Sequence, residues 1–94
     1  MPKETHDCHR RMAAELFNRV WELLDQPVRT ADEDREMLDA AHGSRYHWRI
    51  VGSPKQHCVS DWQVSRVWAS LGDAPQATVY GRLSLALAEQ HHLG

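Results

Sequence analysis

The chain has 94 residues, of which 41% are hydrophobic and 26% charged, and its net charge is −2. That composition fits one globular domain at most and not a disordered segment. The slight acidic balance argues against a nucleic-acid binder, which usually carries a basic excess, and no apolar run approaches the ~18 residues that a membrane span needs.

A first helix is expected from about His6 to Asp25, with Thr5 as its N-cap. Met12, Leu16, Val20 and Leu23/Leu24 fall on one stripe, with Ala13, Phe17 and Trp21 beside it. Gln26-Pro27 ends it, because a residue before proline is pushed out of the α region.

The second helix starts at Thr30. The run T-A-D-E is a capping box in which Thr30 and Glu33 satisfy each other's backbone donors, and Asp32, Glu33 and Asp34 sit at the positive end of the helix dipole. Met37, Ala41, Ser44, Trp48 and Val51 then recur at helical spacing to about residue 51. Gly52 suits the position after the helix, and Pro54 forbids continuation.

The third helix is expected over about 54–71. Ser53 caps it, Pro54 takes the first position, where its missing N–H costs nothing, and Gln56 completes S-x-x-Q. Val64, Trp68 and Leu71 form one row; Cys58, Trp62, Ser65 and Ala69 form the next. Gly72 closes the helix.

The fourth, about 74–90, begins after Asp73 as N-cap. Its stripe of small residues, Ala77, Gly81, Ser84 and Ala88, lets another helix approach closely, so it should lie tightly against the third. The connections are short, which forces antiparallel neighbours. The expected fold is therefore all-α: two antiparallel helical hairpins in series, about 6–51 and 54–90, in a single domain.

The second hairpin, DWQVSRVWASLGDAPQATVYGRLSLALAEQ, resembles a tetratricopeptide repeat. Val64 with small Ser65, Trp68, the turn Leu71-Gly72-Asp73, Ala77, and Ser84 with Leu85 carry the match. It departs from the pattern in three places. The family's tryptophan-like position falls on Asp61, with Trp62 one residue late; the usual aromatic of the second helix falls on Gly81; the closing proline is absent. The first hairpin shares only the helical-hairpin form, since its hinge DQPVRT is longer and lacks glycine. The run SRYHW-x-x-VG-x-P followed by this hairpin also resembles a group of small bacterial proteins that usually carry at least one more hairpin.

The resemblance implies right-handed stacking of the hairpins, with the first helix of each lining a groove. On the third helix the groove positions would be Val59, Trp62, Arg66 and Ser70. On the first they would be Asn18 and Arg19, with Glu22. Trp62 and Arg66, one turn apart, offer a large amphipathic anchor and a carboxylate-matching fork, and both residue types are enriched at interface hot spots. The implied partner is a protein or peptide. An array that ends on an uncapped helix leaves an apolar face without a partner, so a second copy in a homo-oligomer, most simply a dimer, a partner protein, or a further C-terminal segment is expected to cover the fourth helix.

Seven histidines invite a metal site, but their spacing does not favour one. Two ligands on one helix need i, i+3 or i, i+4 spacing. His42 and His47 of HGSRYHW point roughly 140° apart at about 100° per residue. Only His6 and His9 have a usable spacing, at a terminus expected to fray.

Within the same run, Gly43 and Ser44 thin the helix for a neighbour, Trp48 fills the hairpin junction, and His47 is expected to bond a backbone carbonyl or side chain near Gly52. The rival expectation is that Tyr46 and His47 line a small-molecule or metal pocket with Trp62, which could also serve catalysis. No nucleophile–base–acid set, P-loop, HExxH or dinucleotide glycine pattern occurs, so no catalytic residue, cofactor or enzymatic activity is expected. Cys8 and Cys58 form no CxxC pair, and the N-terminal MPKETHDCHRR lacks an apolar h-region. A reduced, cytoplasmic setting follows as the expectation.

Overall fold

A computed structural model of the chain describes residues 1–93. Four helices follow one another: α1 (Lys3–Leu24), α2 (Ala31–Val51), α3 (Pro54–Ser70) and α4 (Ala74–Gln90). No strand occurs among the described residues. The helices pair α1 with α2 and α3 with α4, and α2 packs on α3, while α1 meets α3 over a narrower seam. The cross-links run antiparallel. Ser44 of α2 meets Ala13 of α1 and Glu36 meets Arg19, while Ser84 of α4 meets Cys58 of α3 and Ala77 meets Ser65.

The helix ends follow local chemistry. α1 starts three residues before the expected His6. Pro2 stands at its N-cap with φ fixed at −58°, its carbonyl accepting the first bond from His6 N–H, and no side chain caps it. Thr5 lies inside the helix. α2 opens on the reciprocal Thr30–Glu33 box, with bonds of 2.9 and 3.1 Å. α3 opens with Ser53 N–H donating to Gln56 Oε1 at 2.9 Å. It ends in a Schellman turn: Gly72 adopts φ +83° and donates to Ala69 O, and Asp73 N–H donates to Trp68 O. Asp73 then caps α4 by accepting from Gln76 N–H at 3.0 Å.

The hinge DQPVRT is held by one side chain. Arg29 donates to Asp34 at the start of α2 (2.7 Å), to the Leu23 carbonyl at the end of α1 (3.2 Å) and to Ser70 at the end of α3 (3.4 Å). It thereby gathers three helix ends in a loop without glycine.

Val20, Leu23, Met37, Ala40, Ala41, Val64 and Val67 form the core, flanked by Leu16, Leu24, Leu38, Trp68, Leu71 and Tyr80. Full burial of a side chain such as Leu23 or Met37 is worth about 1.5–3 kcal/mol. The core draws on α1, α2 and α3; on α4 the sole buried residue is Ser84. That helix is held through its small stripe as expected. A Cβ at Gly81 would lie 3.3 Å from Ser65 Oγ, Ser65 Oγ donates to Ala77 O at 2.7 Å and Ser84 Oγ donates to Cys58 O at 2.9 Å. The absent aromatic at Gly81 is thus the condition for close backbone approach. Val79, Leu83 and Leu85 remain exposed on α4.

Candidate functional site

The α1–α3 seam brings two stripes side by side. On α3, Lys55, Val59, Trp62 and Arg66 recur at i, i+4, i+7 and i+11; on α1, Arg10, Ala14, Phe17 and Trp21 do the same. Such spacing puts each set on one face of its helix. Gln63, fully buried, ties the helices together by donating from Nε2 to the Phe17 carbonyl at 3.0 Å.

Aromatic rings form the floor between the stripes. Phe17 stands edge-on to Trp21, with centroids 5.9 Å apart, and Trp21 meets Trp62 at 5.5 Å. The Arg66 guanidinium lies over Trp62, 5.8 Å from the ring centroid. Trp62 nonetheless remains 44% exposed. At the other end the floor opens into a cavity of about 340 Å³ lined by Phe17, Trp48, Ser53, Lys55, Gln56 and Val59. Arg10 covers Trp48 there, at 5.4 Å.

Of the expected groove residues, the structure brings Val59, Trp62 and Arg66 together on this face. Ser70 lies one turn beyond Arg66, but its hydroxyl donates to Val67 O and accepts from Arg29. Asn18 is exposed beside Phe17. Arg19 turns to the opposite side of α1, where it donates to both oxygens of Glu36 on α2 (2.7 and 3.1 Å) and to Glu22 (3.1 Å). These acids hold the Arg19 guanidinium more firmly protonated, and the Arg19 hydrogen bonds in turn hold the Glu36 carboxyl below the usual carboxylate range. The α1 wall of the groove is therefore Arg10, Phe17 and Trp21 rather than Asn18 and Arg19. The sequence signal for that register was the spacing of the aromatic residues on α1.

HGSRYHW is shared among three neighbours. Gly43 faces Leu16 of α1, whose Cδ1 would lie 3.0 Å from an added Cβ. Ser44, fully buried, donates to Ala13 O at 2.8 Å. Arg45 reaches α3, its Nε donating to Oδ1 of fully buried Asp61 at 2.5 Å, and its guanidinium lies 5.3 Å from the Tyr80 ring centroid. Arg49 Nη2 approaches the other Asp61 oxygen at 3.9 Å. Asp61 is thus the anionic tie between α2 and α3. His42 packs edge-on against Trp68 and Tyr80, and burial, followed by the Arg45 charge, lowers its pKa.

The bond expected of His47 is made by a different histidine. His57 Nε2 lies 2.9 Å from Trp48 O, the same carbonyl that accepts from Gly52 N–H at 2.6 Å. His47 instead meets His9 of α1, Nδ1 to Nδ1 at 2.9 Å. One ring must carry its proton on Nδ1 and donate to the lone pair of the other. Burial, and then the His9 charge, lowers the His47 pKa.

Tyr46 is 62% exposed and packs on the His47 ring. The cavity to which this segment contributes is walled by Trp48, and Tyr46, His47 and Trp62 are not among the residues that line it. Among the described residues no three His, Cys, Asp or Glu side chains are grouped to hold a metal ion, and no helix is long and apolar enough to cross a membrane. Cys8 and Cys58 are both free thiols.

The class that fold and site define is an all-α arrangement of two helical hairpins with an aromatic groove along one face. Comparison with protein-family models, with curated proteins and with solved structures gave no match.

Proposed function

We propose that this chain is an interaction module that receives a peptide segment of a partner protein along the α1–α3 face. The observation that carries this is the exposed Trp62, propped between Trp21 and Arg66 above an aromatic floor. A large aromatic left open in a fold with spare apolar contacts costs burial energy of a few kcal/mol, and exposed apolar surface in a groove rimmed by polar groups marks a binding surface. The likeness to tetratricopeptide repeats supports the same face, through the glycine turn and the small residues at the α3–α4 crossing, and implies right-handed stacking of the hairpins. The exposed Val79, Leu83 and Leu85 favour a second contact, in which a second copy of the chain covers α4.

A random dodecapeptide library displayed on phage tests the groove. Peptides should enrich on the wild-type protein and fail on Trp62→Ala while circular dichroism stays unchanged. Equal enrichment on both proteins excludes the groove. Concentration-dependent mass in light scattering, abolished by Leu83→Glu, is expected for self-association; a monomer at all concentrations excludes it.

A further inference from the structure

We infer that the groove is built for an acidic segment carrying one aliphatic or aromatic anchor side chain, which enters the cavity walled by Phe17, Trp48 and Val59. The inference rests on the groove being the binding face and adds the chemistry of its occupant.

Five of the chain's Lys and Arg residues, Arg19, Arg29, Arg35, Arg45 and Arg49, stand in ion pairs between or within helices. Arg10, Lys55 and Arg66 are in no ion pair among the described residues. Arg10 and Lys55 stand at the cavity, Arg66 at the far end of the aromatic floor. On the α1 side Asp7 lies one turn before Arg10 and Asp25 one turn after Trp21, whereas α3 is nearly free of acids. α3 holds a single one, Asp61, fully buried on the side facing Arg45. The α3 wall of the groove thus presents Lys55 and Arg66 without a compensating carboxylate, in a protein whose net charge is −2. A local positive strip against that background has the sign that steers an acidic segment and suppresses basic ones.

The cavity supplies the anchor. Its volume of about 340 Å³ lies at the lower end of the roughly 300–1,000 Å³ of ligand clefts, which suits one large side chain. Phe17, Trp48 and Val59 give it apolar walls, and the polar groups of Ser53, Gln56 and Lys55 stand at its rim. An anchor seated there places the flanking residues of an extended chain within reach of Lys55 on one side and Arg66 on the other. Arg66, stacked on Trp62, has its guanidinium held in place by the ring, so less freedom is lost when it pairs with a carboxylate.

The same dodecapeptide library, read for composition, tests this. Peptides enriched on the wild type and dependent on Trp62 should be acidic, with one Leu, Ile, Met, Phe or Trp, and should weaken at least ten-fold on Phe17→Ala. On the charge-reversed Lys55→Glu/Arg66→Glu variant, whose two altered side chains are exposed and leave the core intact, enrichment should switch to basic peptides. Neutral or basic Trp62-dependent peptides on the wild type, or an unchanged composition on the reversed variant, overturn the inference while leaving the groove as the binding face. A single-stranded oligo-dT probe, which cations and aromatic rings could also hold, should bind at least ten-fold more weakly than the acidic peptides; tighter Trp62-dependent binding of that probe overturns it as well. No Trp62-dependent peptide at all removes the groove and the inference together.

Discussion

Replacing Asp61 by alanine should be among the most damaging single changes in this protein. Asp61 is fully buried, accepts from Arg45 Nε and faces Arg49 at 3.9 Å. Its loss leaves Arg45, whose side chain is 23% exposed, without its anion at the α2–α3 contact. Breaking a buried pair by removing one partner costs about 3–5 kcal/mol. Because Arg45 is not fully enclosed, water recovers part of that, and the expected cost is about 2–3 kcal/mol. At about 4–8 °C per kcal/mol for a domain of this size, the melting temperature should fall by roughly 10–20 °C. Urea melts of Asp61→Ala, Arg45→Met and the double variant measure the coupling, and the double variant should be more stable than the sum of the singles by at least about 1 kcal/mol. The apolar pair Asp61→Leu/Arg45→Met should be close to neutral, because two desolvated charges contribute little net stability. Additive single effects, or a cost for Asp61→Ala below about 1 kcal/mol, would refute the assignment of this pair as the tie between the hairpins.

Gly52→Ala should destabilise by about 1–3 kcal/mol as overpacking, since its Cβ would lie 2.6 Å from Trp48 O; chemical denaturation checks this. His92→Gly should stabilise by about 0.5–1 kcal/mol in the same assay, because His92 occupies φ +54° at the end of α4, a region glycine enters freely. Trp62→Ala should cost about 1–3 kcal/mol, since over half of the side chain is covered by neighbours including Trp21 and Arg66, while leaving the fold intact and removing peptide binding, and calorimetry beside the display selection separates the two. Stability should also fall with pH. His42 and His47 both have folded pKa values below their ordinary 6.5, so the unfolded chain binds more protons in that window. The stability they contribute is complete above about pH 6.5 and declines as pH drops through the folded values. Melting temperatures from pH 7.5 to 5 should show this decline, and Gln at both positions should flatten it.

Much of the architecture was legible because it depends on local chemistry. Thr30–Glu33, Ser53–Gln56, Gly72 and Asp73 act within four residues of themselves, so each helix boundary they govern lies within a residue of the sequence expectation. The exception, the start of α1, had no side-chain cap to mark it. The small stripe of α4 was legible too, since small residues at helical spacing have few uses other than close approach. That Val59, Trp62 and Arg66 share one face was legible on α3, because one periodic stripe carries them. Which face of α1 meets α3 was not, because Asn18 and Arg19 lie about 100° and 200° round the helix from Phe17 and nothing local says which flank meets α3.

Sequence alone therefore determined four helices, their ends apart from the start of α1, and their pairing into hairpins, since capping, proline exclusion and hydrophobic period act over short separations. Tertiary structure alone decided which polar side chains meet. His9 and His47 are 38 positions apart, Gln63 and Phe17 46, Arg29 and Ser70 41. Asp61 proves to be the buried partner of Arg45, and the carbonyl contact expected of His47 belongs to His57. Such pairings depend on the rotation of each helix about its own axis. The packing of Ala13 on Ser44, of Gly43 on Leu16 and of Gly81 on Ser65 sets that rotation only once the helices have met.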